Sequence, residues 1–136
     1  MENQLSLTEQ FNNQKANTYC SLDTENVESK KILYKASQKC DYRVADSLNK
    51  VIYLKDLYIR KSEKVDESTG EVITKYRTIL IDKDGKTYAS ASKGLFNSVG
   101  QLISIMGEPT MWAEPLAIKV SELQLEKGKT YTIELA

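Results

Sequence analysis

Tyrosine interleaves with lysine and arginine through the middle of the 136-residue chain: Tyr53, Lys55, Tyr58 and Arg60, then Lys75, Tyr76 and Arg77, then Lys86 and Tyr88. Lys50 extends the basic series at its front. This mixture suits contact with a single-stranded nucleic acid. Every base offers a π-face on which an aromatic ring stacks, at about 1–3 kcal/mol per base, while cations follow the phosphates. Tyrosine supplies 8 of the chain's aromatics against 2 phenylalanines and 1 tryptophan, and its ring meets solvent at less cost than that of phenylalanine. The competing reading is that tyrosine is simply a good strand former, and for each ring both readings stay open. Alternation along a strand puts Tyr53 and Lys55 on one face, Tyr58 and Arg60 on the other, and Tyr76 opposite Lys75 and Arg77. They share one surface only if a bulge switches faces.

Other chemistry lacks its residues. The chain has no histidine, which removes the commonest general base and transition-metal ligand. Cys20 and Cys40 are too few for a four-thiolate zinc site and are expected as free thiols. Asp82 and Asp84 beside Gly85 read as turn formers and not as metal ligands. Nothing matches a glycine-rich phosphate loop. No enzymatic activity, cofactor or metal is expected. The absence of a long apolar run or of a basic leader before one predicts a cytoplasmic protein without membrane contact.

The 19 basic and 19 acidic residues cancel, and neutrality disfavours phosphate binding, which scales with the cations engaged. The charges are nevertheless segregated. Residues 1–29 are net −4 and residues 30–64 net +6, with ten bases against four acids. A local field of that kind attracts phosphate on a neutral protein.

The elements that must position these residues are mostly strands. Residues 1–28, polar and acidic, read as a flexible extension, in which Ser6 and Glu9 form a candidate capping box. Residues 29–136 read as one domain. Lys31–Lys35 and Val51–Arg60 are candidate strands, followed by Glu71–Asp82, an Asp84-Gly85 hairpin turn and Lys86–Ala91. Leu95, Phe96, Val99, Leu102, Ile103 and Met106 then form one stripe of a helix over about 93–106, capped by Ser92 and ended by Gly107 and Pro109. Trp112 follows in a loop, where covering the core is a commoner role than stacking on a base. Leu116–Leu125, read as bulged at Ser121-Glu122, and Tyr131–Leu135 close the chain. The class is mainly β: an OB-fold-like five-stranded barrel with one helix after the third strand.

The segment from Thr78 through Asp84-Gly85 and Tyr88-Ala89-Ser90-Ala91 to Lys93, running into the helix Leu95 to Met106, resembles the phage-type single-stranded DNA-binding proteins of Gram-positive hosts, those of small protein-primed phages included. The likeness extends more weakly through Leu48 to Lys61 and into the closing strands. It implies an OB fold that coats single-stranded DNA, with RNA left open, during replication or transfer of a phage or plasmid and without strong sequence preference. By the resemblance Tyr88 is the first base-stacking position, with Tyr58 and Arg60 after it. The extension is longer than in the smallest members. Its acidic residues suggest self-association across the basic surface of a neighbouring subunit, anchored by Leu7 or Phe11. The alternative is a small β-barrel interaction or virion module whose basic strip meets an acidic protein.

Overall fold

The helix read from the apolar stripe forms the plug of the main core. In the computed structural model, which describes residues 18–126 and 128–136, helix Lys93–Met106 buries Leu95, Phe96, Val99, Leu102 and Ile103. Ser92 Oγ accepts from the Leu95 N–H at 3.2 Å, and Gly107 ends the helix at φ 84°, a left-handed value that glycine adopts without penalty. Met106 remains 41% exposed, so the stripe narrows at its last turn. The candidate capping box at Ser6 and the anchors Leu7 and Phe11 lie outside the described residues.

In chain order the elements are β1 (Thr18–Cys20), α1 (Val27–Gln38), β2 (Tyr42–Arg43), β3 (Ile52–Val65), β4 (Val72–Asp82), β5 (Thr87–Ser90), α2 (Lys93–Met106), β6 (Leu116–Leu125) and β7 (Gly128–Leu135), with single 3-10 turns at Val44–Asp46 and Pro109–Met111. The strands form one sheet in the order β2-β5-β4-β3-β6-β7, with β1 added to β3. The sheet curls into a half-barrel. Inside it Leu54, Leu57, Ile59, Leu80, Ile118 and Val120 pack against α2. Among the described residues no ladder joins β5 to β7, and across that seam β7 is tied to α2 and its cap by side chains: Ser92 to Thr130 at 3.4 Å and Ser98 to Thr132 at 3.1 Å.

The expected order of three strands, helix and two strands is present as β3, β4, β5, α2, β6 and β7, but the described residues hold seven strands and two helices. Lys31–Lys35, expected as a strand, lies within α1. The Asn26 side chain accepts from the N–H groups of Glu28 and Ser29, which starts a helix there. Ile32, Leu33 and Ala36 then fall on one stripe that packs over Ile79 and Ile81. Ile-Leu-Tyr suits a strand locally, and tertiary packing overrides that preference. Part of the segment read as extension belongs to the sheet: Thr18, Tyr19 and Cys20 pair with Arg60, Ile59 and Tyr58, and Leu22 is buried. β6 is paired with β7 from Ile118 to Leu125 without a register shift, so the bulge expected at Ser121-Glu122 is absent. Cys20 and Cys40 are free.

Candidate nucleic-acid interface

The face-switching bulge lies in β3. Its register with β4 shifts between Leu54, opposite Asp82, and Asp56, opposite Ile81. Before it the even residues Ile52 and Leu54 enter the main core, and after it the odd residues Leu57 and Ile59 do. Tyr53 and Lys55 therefore share the outer face of the sheet with Tyr58 and Arg60. Ser21 holds the bulge: its hydroxyl donates to Asp56 Oδ1 at 2.9 Å and accepts from the Leu57 N–H at 2.8 Å.

The outer face is divided by α1. Its middle, with Tyr58, Ile79 and Ile81, is sealed by Ala36, Ile32 and Leu33. Tyr58 is only 8% exposed, so its ring packs and is not offered to a base; this corrects the stacking role implied for it. On one side of α1, Tyr53 stands 47% exposed with Lys83 Nζ 4.8 Å from its ring centroid, and Lys55 beside it is exposed.

On the other side the hairpin β3–β4 projects as an arm. Arg60 is directly opposite Arg77, Ser62 opposite Lys75 and Lys64 opposite Ile73. These four cations occupy one outer strip. Among the described residues none of them is in an ion pair, although Arg77 Nη2 donates to Cys40 Sγ at 3.9 Å. Like charges directly opposite on an antiparallel pair are destabilising.

Tyr76 and Tyr88 face the inner side. Tyr76 stacks on Phe96 with centroids 3.9 Å apart and planes 9° from parallel. Tyr88 donates to Asp82 Oδ2 at 3.2 Å and stacks on Tyr42 at 5.1 Å. Its phenol is pushed up to about 12, chiefly by burial and then by the Asp82 carboxylate. Asp82 also accepts from the N–H groups of Asp84 and Lys86 at 2.9 Å, and Gly85 takes φ 81°, so the acids here build the turn. Lys86 and Lys50 are exposed beside turns, away from the arm. The Trp112 indole donates to the carbonyls of Met106 and Gly107 at 3.1 and 3.0 Å while its ring packs on the main core.

The expected residues thus divide into an outer set (Tyr53, Lys55, Arg60, Lys75, Arg77), an inner pair (Tyr76, Tyr88), a core residue (Tyr58) and two turn lysines. Tyr42, Lys83, Arg43, Lys93 and Tyr131 were not expected at the surface the sheet offers. Only the alternation of Tyr42 with Arg43 offered a signal in the sequence.

A family model described as phage single-stranded DNA-binding protein, of the phi29 phage type, matches residues 12–136. No curated protein and no solved structure matches the chain.

Proposed function

We propose a mode of action from the premise that the chain belongs to the phage single-stranded DNA-binding protein family: it is a non-enzymatic, sequence-tolerant protein that coats and protects single-stranded DNA. One observation carries the reading. Arg60 and Arg77 stand opposite each other with Lys75 and Lys64 adjacent, an arrangement that costs stability in the free protein and is offset when a phosphodiester backbone lies across it. Exposed rings complete the chemistry. Tyr53 beside Lys55 and Lys83, and the Tyr42–Tyr88 stack at the sheet edge, offer π-faces to bases of any identity. Lys50 and Lys86 add phosphate contacts from the turns.

The setting we infer is the cytoplasm of a bacterial host during replication or transfer of a phage or plasmid. Self-association through the residues before Thr18, with Leu7 and Phe11 as apolar anchors, belongs to the same proposal. β1 supports it by pairing Thr18 with Arg60, which brings the chain to the basic strip. Light scattering of a chain lacking residues 1–17 tests that part. An unchanged mass, with and without DNA, would reject it.

The DNA reading is tested by titrating labelled oligo-dT, the matching duplex and oligo-U at two salt concentrations. Single strands bind more tightly than duplex, and affinity falls steeply as salt rises. Equal binding of duplex and single strand would sink the reading.

A further inference from the structure

Two adjoining clefts flank the start of α2, one toward β4 and one toward β7. One, of about 520 Å³, is lined by Thr74, Lys75, Tyr76, Lys93 and Phe96 among others. The second, of about 530 Å³, is lined by Arg43, Ser90, Lys93, Lys129 and Tyr131 among others. They share Ala91 and Lys93. Each falls in the range of about 300–1,000 Å³ in which small ligands are held. Among the described residues, the two linings together contain four cations (Lys75, Lys93, Arg43, Lys129) and no carboxylate. Arg43 is balanced by Asp46 and Lys129 by Glu122, whereas Lys93 and Lys75 have no ion-pair partner among the described residues. A cleft with low-dielectric walls and cations of one sign focuses the field on an anion.

The clefts connect to the outer strip. β4 pairs with β5 only from Thr78 to Ile81, so its edge from Val72 to Arg77 has no strand neighbour on that side among the described residues. Lys75 lies on this edge, belonging both to the strip with Arg77 and to the lining of the first cleft.

We infer that this cleft pair is a second subsite for the same strand. Nucleotides leaving the Arg60–Arg77 strip cross the open edge of β4 at Lys75, a base enters beside Tyr76 or Tyr131, and its phosphate meets Lys93. The inference rests on the single-stranded DNA reading and adds that one strand is gripped on both faces of the β3–β4 arm.

The test compares oligo-dT of about 4 and about 16 nucleotides, the span that a small barrel covers, on the intact chain and on Lys93→Gln. Lys93 is exposed, and an unchanged melting curve of the variant checks its fold. With the 16-mer, Lys93→Gln reduces the slope of log affinity against log salt by about 0.7, one single-strand phosphate contact. Between about 0.05 and 0.2 M salt that is a roughly 2.5-fold smaller loss of affinity. With the 4-mer, which the outer strip accommodates, the reduction is smaller. An unchanged slope on the 16-mer, or an equal reduction on both lengths, overturns the inference while leaving the DNA reading intact. Failure of the unaltered chain to bind either oligonucleotide overturns the DNA reading itself and this inference with it.

Discussion

Arg60 and Arg77 face each other across the β3–β4 ladder, on a strip that has no carboxylate ion-pair partner among the described residues. Two cations held in register repel one another, by up to about 1 kcal/mol relative to a neutral pair. Binding and stability therefore oppose each other at this pair.

Replacing one of the two should separate those effects. Arg77→Gln is expected to raise resistance to urea by up to about 1 kcal/mol and to lower the salt slope of oligo-dT binding by about 0.7. Chemical denaturation and titration of the same preparation check both signs. A less stable variant would refute the repulsion, and an unaltered slope would remove Arg77 from the interface.

Much of the frame was legible in the sequence, for local reasons. The stripe Leu95, Phe96, Val99, Leu102 and Ile103 is buried as its spacing requires. The Asp84-Gly85 turn is fixed within its own residues by the Asp82 side chain and a left-handed glycine. What was not legible depends on partners distant in sequence. The bulge that unites Tyr53 and Arg60 on one face is held by Ser21, 36 residues before Leu57. Lys31–Lys35 is helical because of Asn26 and of the apolar outer face supplied by β4. The cleft lining joins Arg43, Tyr76, Lys93 and Tyr131 from four separate segments, and no spacing rule brings them together.

The dependence of the bulge on Ser21 can be measured. Ser21→Ala removes the acceptor of the Leu57 N–H and the donor to Asp56. Leaving a buried N–H without a partner costs about 1–3 kcal/mol. Denaturant titration should report that loss, and amide hydrogen exchange at Leu57 should accelerate. Full stability in the variant would mean that the bulge is held by other contacts.

Attachment of α1 depends on a similar tie. Lys35 Nζ is 2.8 Å from Asp41, and Asp41 also accepts from the Thr87 N–H at 3.0 Å. Burial works to raise the Asp41 carboxyl, but the Lys35 and Thr87 contacts prevail and hold it below its ordinary value. A lowered folded value stabilises the protein above the ordinary carboxyl range, and the contribution is lost as pH falls through the folded value. Asp41→Asn should therefore weaken the fold at neutral pH and flatten its decline in acid. Urea midpoints between about pH 2 and 7 decide; an acid decline as steep as that of the parent would exclude Asp41 as its source.

The alkaline limit has the opposite sign. The folded Tyr88 phenol sits at about 12 against an ordinary 10.0, and burial beside Glu108 raises Tyr19 as well. A raised value favours the neutral phenol in the fold. Its contribution is complete below 10.0 and is lost as pH climbs toward about 12. Stability should hold to about pH 10 and then fall, with a shallower fall in Tyr88→Phe, where Tyr19 still titrates. Urea midpoints from about pH 9 to 12 check this, and an identical decline in the variant would assign the effect elsewhere.

Gly94 tests the coupling between fold and seam. A Cβ there would overlap Thr130 Oγ1 and press on the Tyr131 carbonyl oxygen at 3.0 Å, so α2 approaches β7 as closely as it does only because residue 94 has no side chain. Gly94→Ala must push β7 away from α2, and overpacking of this kind costs about 1–3 kcal/mol. Adding Thr130→Gly removes the side-chain overlap but not the carbonyl contact, so the double variant should recover only part of the loss. Since Thr130 and Tyr131 line the second cleft, the single variant should also bind a 16-mer of dT less tightly than its stability alone explains, measured well below its melting temperature. Unchanged stability in Gly94→Ala would show that the contact between α2 and β7 is looser than the structure has it.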